Sequence, residues 1–159
     1  MKINFTKNQY EDLVKLVYLG AWMINAHRTD DAVNRYEDVE QYILSFHRDF
    51  GMEKYIGYDE ELNKYFPTGE FEDDTDVDEY KEEYNNDTFW DELIHRLARR
   101  DLIREYGETG VFTMSLEEIM EKEQPFIDKY EEEFGINGIE NLEIKDRNSL
   151  MFYDVIGNA

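Results

Sequence analysis

The sequence predicts a mainly α protein, a compact helical bundle with a few short peripheral strands, in a single domain. Three observations carry that expectation. Apolar residues recur at spacings of three and four through most of the chain, the period of a helix with one buried face. Cap-forming residues stand ahead of those runs and glycines stand behind them. The chain has 159 residues, 41% apolar and 15% aromatic, enough to build one core without crosslinks. Disordered chains of comparable charge lack that aromatic content.

Taken in order, Lys2 to Phe5 reads as a short strand. Thr6-Lys7-Asn8-Gln9 fits a capping box, with Thr6 as cap and Gln9 reaching back. The helix it opens should run to about His27, with Tyr10, Leu13, Val14, Val17, Ala21 and Ile24 on one face. Leu16, Leu19, Trp22 and Met23 make its middle apolar nearly all round, the pattern of a central, buried helix. Thr29-Asp30-Asp31 is the next cap, followed by the seam Ala32, Tyr36, Val39, Ile43, Phe46 and Phe50 and ended by Gly51. The short link at Arg28 to Asp31 predicts an antiparallel hairpin of these two helices.

Asp59 to Phe66 reads as a short helix stopped by Pro67. Glu70 to Asp87 is an acidic belt. Within it, Val77, Tyr80 and Tyr84 predict a short, mostly solvated helix around Asp76 to Tyr84, with a flexible acidic loop as the competing reading. The strongest helix signal is Asp87 to Gly107. Asp87 or Thr88 can cap it, and Gly107 can end it. Trp90, Ile94, Ala98, Leu102 and Tyr106 recur every fourth residue, and Leu93 and Leu97 widen the stripe.

Val111 to Met114 reads as a short strand, and Ser115-Leu116-Glu117-Glu118 as a second capping box. Leu116, Ile119, Met120, Ile127, Tyr130 and Phe134 hold one helical phase across Pro125. A proline inside a helix removes a hydrogen bond, so a bent helix or two short ones are expected, ending at Gly135. Leu142 to Lys145 and Leu150 to Ile156 are extended candidates joined by a turn at Asp146-Arg147-Asn148-Ser149.

Two segments carry a likeness: Tyr18-Leu19-Gly20-Ala21-Trp22-Met23-Ile24-Asn25-Ala26-His27-Arg28, and Thr88-Phe89-Trp90-Asp91-Glu92-Leu93-Ile94-His95-Arg96-Leu97-Ala98-Arg99-Arg100-Asp101. The chain resembles acidic bacterial proteins that carry no assigned function. That resemblance implies a bacterial cytoplasmic setting and assigns no residue a role.

Charge narrows the functions. The chain holds 39 acids against 17 bases, a net charge of −22. Direct binding to nucleic acid or to an anionic membrane is disfavoured, because phosphates are repelled. Basic proteins and divalent cations are the favoured partners. The chain has no cysteine, which excludes disulfide and thiolate chemistry and fits a cytoplasmic location. Leu13 to Ala26 is apolar but short, and Lys15 and Asn25 interrupt it, whereas a membrane span needs about 20 apolar residues. Glu11 and Asp12 stand where a signal peptide is basic. Self-repulsion at −22 predicts that moderate salt raises the melting midpoint. A midpoint that stays level or falls between low and moderate salt refutes this.

Three constellations are candidates for chemistry. Arg96, Arg99, Arg100 and Arg104 form the only dense basic cluster. They are either neutralised internally, with Glu92 four residues before Arg96 and Asp101 three before Arg104, or a contact site for an anionic ligand or a partner's carboxylates. Glu92-x-x-His95 places a carboxylate and an imidazole on one helical face, as in carboxylate-bridged metal bundles, but no second such motif exists. Asp74-x-Asp76-x-Asp78 matches the start of a calcium loop, yet Glu79 replaces the turn glycine and Asn85 the closing glutamate. No serine sits in a nucleophile elbow and no phosphate-binding loop is present. No cofactor is called for.

The functional expectation is a non-enzymatic intracellular protein-interaction module with a strongly acidic surface. Its partner is another protein, a basic one being favoured. One alternative is a nucleic-acid mimic that binds a basic DNA-binding protein through rows of carboxylates. A second is a metal-dependent enzyme using Glu92 and His95.

Overall fold

The computed structural model describes residues 3–143. The extended candidates at 144–156 lie outside these residues, and Leu142 and Glu143 are not in a strand. The chain divides into two compact units, Met1–Asn86 and Asp87–Ala159. The observed architecture is mainly α, with one small two-stranded sheet among the described residues.

In the first unit, residues 3–5 carry no strand, against expectation. No neighbouring strand pairs with them, and an isolated strand leaves its backbone groups to water. Helix α1 (Lys7–Asn25) opens on the expected box, with Gln9 N donating to Thr6 Oγ1 at 3.3 Å and Thr6 N to Gln9 Oε1 at 3.0 Å. Only Tyr10 and Val14 of α1 are fully buried, while Leu16 and Met23 are exposed. The all-round apolar middle therefore does not make α1 a central helix, because the other elements of this unit cover only one of its sides.

Helix α2 (Asn34–Leu44) begins later than expected. Asp31 is not its cap, since its carboxylate takes Arg28 at 2.7 Å. Val33 holds the cap position, and its amide donates instead to Asn25 Oδ1 at 2.9 Å. Contacts between the end of α1 and the start of α2, and from Tyr10 OH to Ile43 O at 2.6 Å, make the two helices an antiparallel hairpin. A 3-10 turn over His47–Phe50 follows, and Gly51 ends it with φ 68°. That left-handed geometry strains any residue with a Cβ. The expected single helix to Phe50 is thus broken at Ser45–Phe46, and Leu44 rather than Phe46 is the buried anchor of α2.

The expected helix over Asp59 to Phe66 is instead a hairpin, β1 (Ile56–Asp59) and β2 (Lys64–Pro67). Its register pairs Gly57 with Phe66 and Tyr58 with Tyr65. Asp59 Oδ1 accepts from Glu61 N and Leu62 N at 2.8 and 2.9 Å, and Asn63 takes φ 52°, so Asp and Asn build the turn. The hairpin is held from outside as well. The Gln41 side-chain amide of α2 donates to Tyr65 O at 2.8 Å and accepts from Tyr65 N at 2.7 Å, in the manner of a neighbouring strand. A two-stranded hairpin alone is marginal in water. The support from α2 is a long-range contact that local spacing does not reveal.

Helix α3 (Gly69–Asp74) sets Phe71 at the middle of this unit's core, with Tyr10, Val14, Leu44, Met52, Ile56 and Val77. Helix α4 (Val77–Tyr106) then runs unbroken for 30 residues. The separate helix around 76–84 and the new cap at Asp87 or Thr88 do not exist. Asn85, Asn86 and Asp87 are cap-forming residues, but no proline or glycine interrupts the chain between Val77 and Tyr106. The start of α4 is tied to α1 by charge. Lys81 Nζ donates to Tyr18 OH at 3.1 Å and pairs with Asp78, while Tyr18 OH donates to Glu72 Oε1 at 2.5 Å. Burial works to lower the Lys81 ammonium, but its bonds to Asp78 and Tyr18 outweigh it and hold it above its ordinary value.

Glu40 of α2 lies one turn before Leu44, and burial, then the neighbouring Glu37, push its carboxyl up to about 7. An acid raised above its ordinary value of 4.5 binds its proton more tightly folded than unfolded. Stability therefore falls as pH rises from about 4.5 to about 7. Glu40→Gln is expected to raise the melting midpoint by about 3 °C at pH 8, from roughly 1 kcal/mol after discounting for the group's partial exposure. Thermal melts at pH 8 and pH 4 check it, the gain vanishing at the lower pH.

In the second unit, residues 87–106 of α4 pack against α6 (Leu116–Asn137) around Ala98, Tyr130 and Phe134, with Trp90, Leu93, Ile94, Leu97, Phe126 and Ile127 at the margin. The stripe read from spacing is this face, and Ala98 and Leu102 are its fully buried members. Gly107 breaks α4 at φ 73° and ψ 155°, a region almost closed to other residues. Helix α5 (Glu108–Thr113) stands where a strand was expected. Val111 N donates to Gly107 O at 3.0 Å, closing a helical turn rather than a ladder.

Ser115 and Glu118 form the second capping box, and α6 continues through Pro125 without dividing. The apolar face on both sides of the proline is one phase, so packing along α6 outweighs the lost hydrogen bond. It ends at Asn137 rather than at Gly135, since the positive φ of 54° falls on Gly138. No helix of the described residues is long and apolar enough to cross a membrane.

Candidate functional site

All four arginines of the basic cluster lie on α4 in the second unit, and each has an acidic partner. Arg96 Nε meets Glu92 Oε2 at 2.7 Å, and Arg99 Nε meets Glu123 Oε1 of α6 at 3.0 Å. Arg100 Nε and Arg104 Nη1 share Asp101 Oδ1, at 2.8 and 3.2 Å. Arg100 Nη2 also donates to Tyr130 OH at 2.8 Å, and Tyr130 OH donates to Asp101 Oδ2 at 2.5 Å. Lys129 approaches the same carboxylate at 3.9 Å. The hydrogen bond from Arg100, then the one from Tyr130 and the nearby positive charge, hold the Asp101 carboxyl down to about 2. The cluster thus fastens α4 to α6. The outer edges of Arg96 and Arg104 remain open to solvent.

Glu92 and His95 do not converge. Glu92 is engaged by Arg96, and His95 Nδ1 turns back to Asp91, 2.9 Å from its carbonyl and 3.4 Å from its carboxylate. The acids that opened a calcium-like sequence are also drawn apart. Asp74 pairs with Lys54, Asp78 with Lys81, and Asp76 Oδ1 lies 3.1 Å from Lys15 Nζ as an ion pair not aligned for a hydrogen bond. Asp76 Oδ2 accepts from Tyr80 OH at 2.9 Å. No three His, Asp or Glu side chains among the described residues are placed to hold a metal ion.

An apolar cleft of the first unit was missed by sequence reasoning. Residues ahead of α1, the first turns of α1 and the end of α2 enclose a cleft of about 570 Å³. Ile3, Phe5, Tyr42 and Phe46 line it and are exposed, while Tyr10 and Phe50 form its floor, stacked at 4.1 Å between ring centroids. Tyr42 and Phe46 meet edge to face at 5.0 Å. Burial, then the charge of Asp49, push the Tyr10 hydroxyl up to about 12, and it is spent on Ile43 O. The cleft therefore offers mainly aromatic and aliphatic surface. The available signal was the spacing of four between Tyr42 and Phe46, whereas the expected seam ran through Ile43, Phe46 and Phe50 and left Tyr42 out. Ile3 and Phe5 come from outside any helix, and their alternation suggested a strand rather than a wall of a cleft.

No family model, no curated protein and no solved structure matches the chain.

Proposed function

We propose that the chain is a protein-interaction module working inside the cell, with the aromatic cleft of the first unit as its contact surface. The observation that supports this most is the cleft itself, four exposed apolar side chains over an aromatic floor in a strongly acidic chain. Contiguous apolar surface of this kind marks contact sites in proteins. Residues 1–86 hold 21 acids against 9 bases, so the field around the cleft favours a segment that joins apolar anchors to Lys or Arg. The cysteine-free composition fits a reducing compartment.

The experiment is a fluorescence titration with a labelled amphipathic Leu/Lys helical peptide, beside a Leu/Glu peptide of the same pattern. The Lys peptide is expected to bind, the Glu peptide to fail, and Phe46→Glu to weaken binding at least about tenfold, the cost of one lost anchor. Phe46 is partly exposed, so circular dichroism should match wild type. Equal binding of both peptides, or of wild type and variant, rejects the reading.

A further inference from the structure

We propose that a second pocket of the first unit binds an alkylated ammonium group. The pocket lies between the last turn of α1 and the stretch of α4 at Tyr84, and encloses about 400 Å³. Its lining is Trp22, Met23, Ala26, His27, Tyr84 and Asn85. The Trp22 and Tyr84 rings stand almost perpendicular, at 85°, with centroids 6.4 Å apart. Two such rings form the corner of an aromatic cage, each able to turn a negative face toward a cation. Tyr84 is about half exposed, so this pair is not sealed into a core.

Three further facts favour a cation, and the first of them favours one without strong hydrogen-bond donors. The hydrogen-bonding side chains of the lining are Trp22, His27, Tyr84 and Asn85, and no carboxylate is among them to pair with a bare ammonium. A quaternary ammonium carries its charge under methyl groups and is cheaply desolvated against Trp22 and Met23. The negative end of the α1 dipole lies at this pocket, with no basic residue in the last turn. Arg28 answers one carbonyl there, Ile24 O at 2.9 Å, but its charge is already matched by Asp31. The acid excess of residues 1–86 adds a negative field. A free choline-like head group and a trimethylated lysine side chain present this same chemistry.

Trp22 reports on the site directly. The chain has two tryptophans, so Trp90→Phe leaves Trp22 as the one tryptophan, excited selectively at wavelengths where tyrosine does not absorb. Choline is titrated against 3,3-dimethyl-1-butanol, which has the same shape without the charge, and against a trimethyllysine peptide with its unmethylated counterpart. The expected result is a saturable change in Trp22 emission with choline, at least about tenfold tighter than with the neutral alcohol, in line with a partly desolvated cation–π contact. Tighter binding of the peptide than of choline assigns the ligand to a protein; the reverse assigns it to a small molecule. Tyr84→Leu should remove the preference for the charged ligand. The choline–alcohol comparison on the Trp90→Phe protein and a repeat on wild type do not depend on how Tyr84→Leu folds. No saturable change with either cation, or an equal response to the neutral alcohol, overturns the proposal and leaves the aromatic cleft unaffected.

Discussion

Phe71→Ala is expected to cost about 3–5 kcal/mol of stability, the range for removing a fully buried aromatic side chain. Phe71 has no exposed surface and stands where α1, the hairpin and α4 all contribute neighbours. Tyr18 meets its ring edge on at 5.3 Å and Tyr55 at 6.4 Å. Both tyrosines are anchored by polar bonds, Tyr18 to Glu72 and Tyr55 to Asp74, so they cannot easily swing in to fill the cavity. That is why the value should lie inside the range and not below it. Urea unfolding followed by far-ultraviolet circular dichroism measures it. A loss under about 1 kcal/mol would show that the site collapses freely and that Phe71 is not the centre of this core.

The second large effect concerns Asp101. Asp101→Asn keeps the size and removes the charge that Arg100, Arg104 and Lys129 share. It is expected to cost about 2 kcal/mol at pH 7, the scale of charge-assisted hydrogen bonds at a partly open site. The pH dependence has a definite sign. The folded Asp101 carboxyl stands at about 2, below its ordinary 3.8, so its stabilisation is fully present above about pH 4 and disappears as pH falls through about 2. Wild type and Asp101→Asn should therefore differ at pH 7 and converge toward pH 2. A gap that persists unchanged into acid would mean that shape, not charge, joins Arg100 and Tyr130 at this position.

Much of the helical architecture was legible from local chemistry. Thr6 with Gln9, and Ser115 with Glu118, mark helix starts because the capping box is a contact over three residues and needs no distant partner. The face of Trp90, Ile94, Ala98 and Leu102 was legible because burial follows helical period directly. The errors fall where local preference was overruled. Tyr58, Tyr65 and Phe66 form strands because Gln41 supplies hydrogen bonds from a helix more than twenty residues away in sequence. Asn85-Asn86-Asp87 looked like a fresh helix start, and α4 passes through it. Cap-forming residues inside a helix cost only fractions of a kcal/mol each.

The candidate sites divide in the same way. Acid and base proximity along α4, such as Glu92 with Arg96, could be read from spacing. The pairing of Arg99 with Glu123 and the Asp101–Tyr130 bond could not, because they join α4 to α6. The aromatic cleft and the Trp22–Tyr84 pocket gather residues distant in sequence, and period carries no information about that meeting.

By itself the sequence determined that this chain would be helical, strongly anionic and free of thiol chemistry, since those properties rest on composition and on contacts within a few residues. Only the tertiary structure decided that the arginines are matched by carboxylates and that aromatic side chains stay uncovered at the first unit's surface. Long-range burial and charge pairing depend on which segments meet, and that is a property of the folded chain.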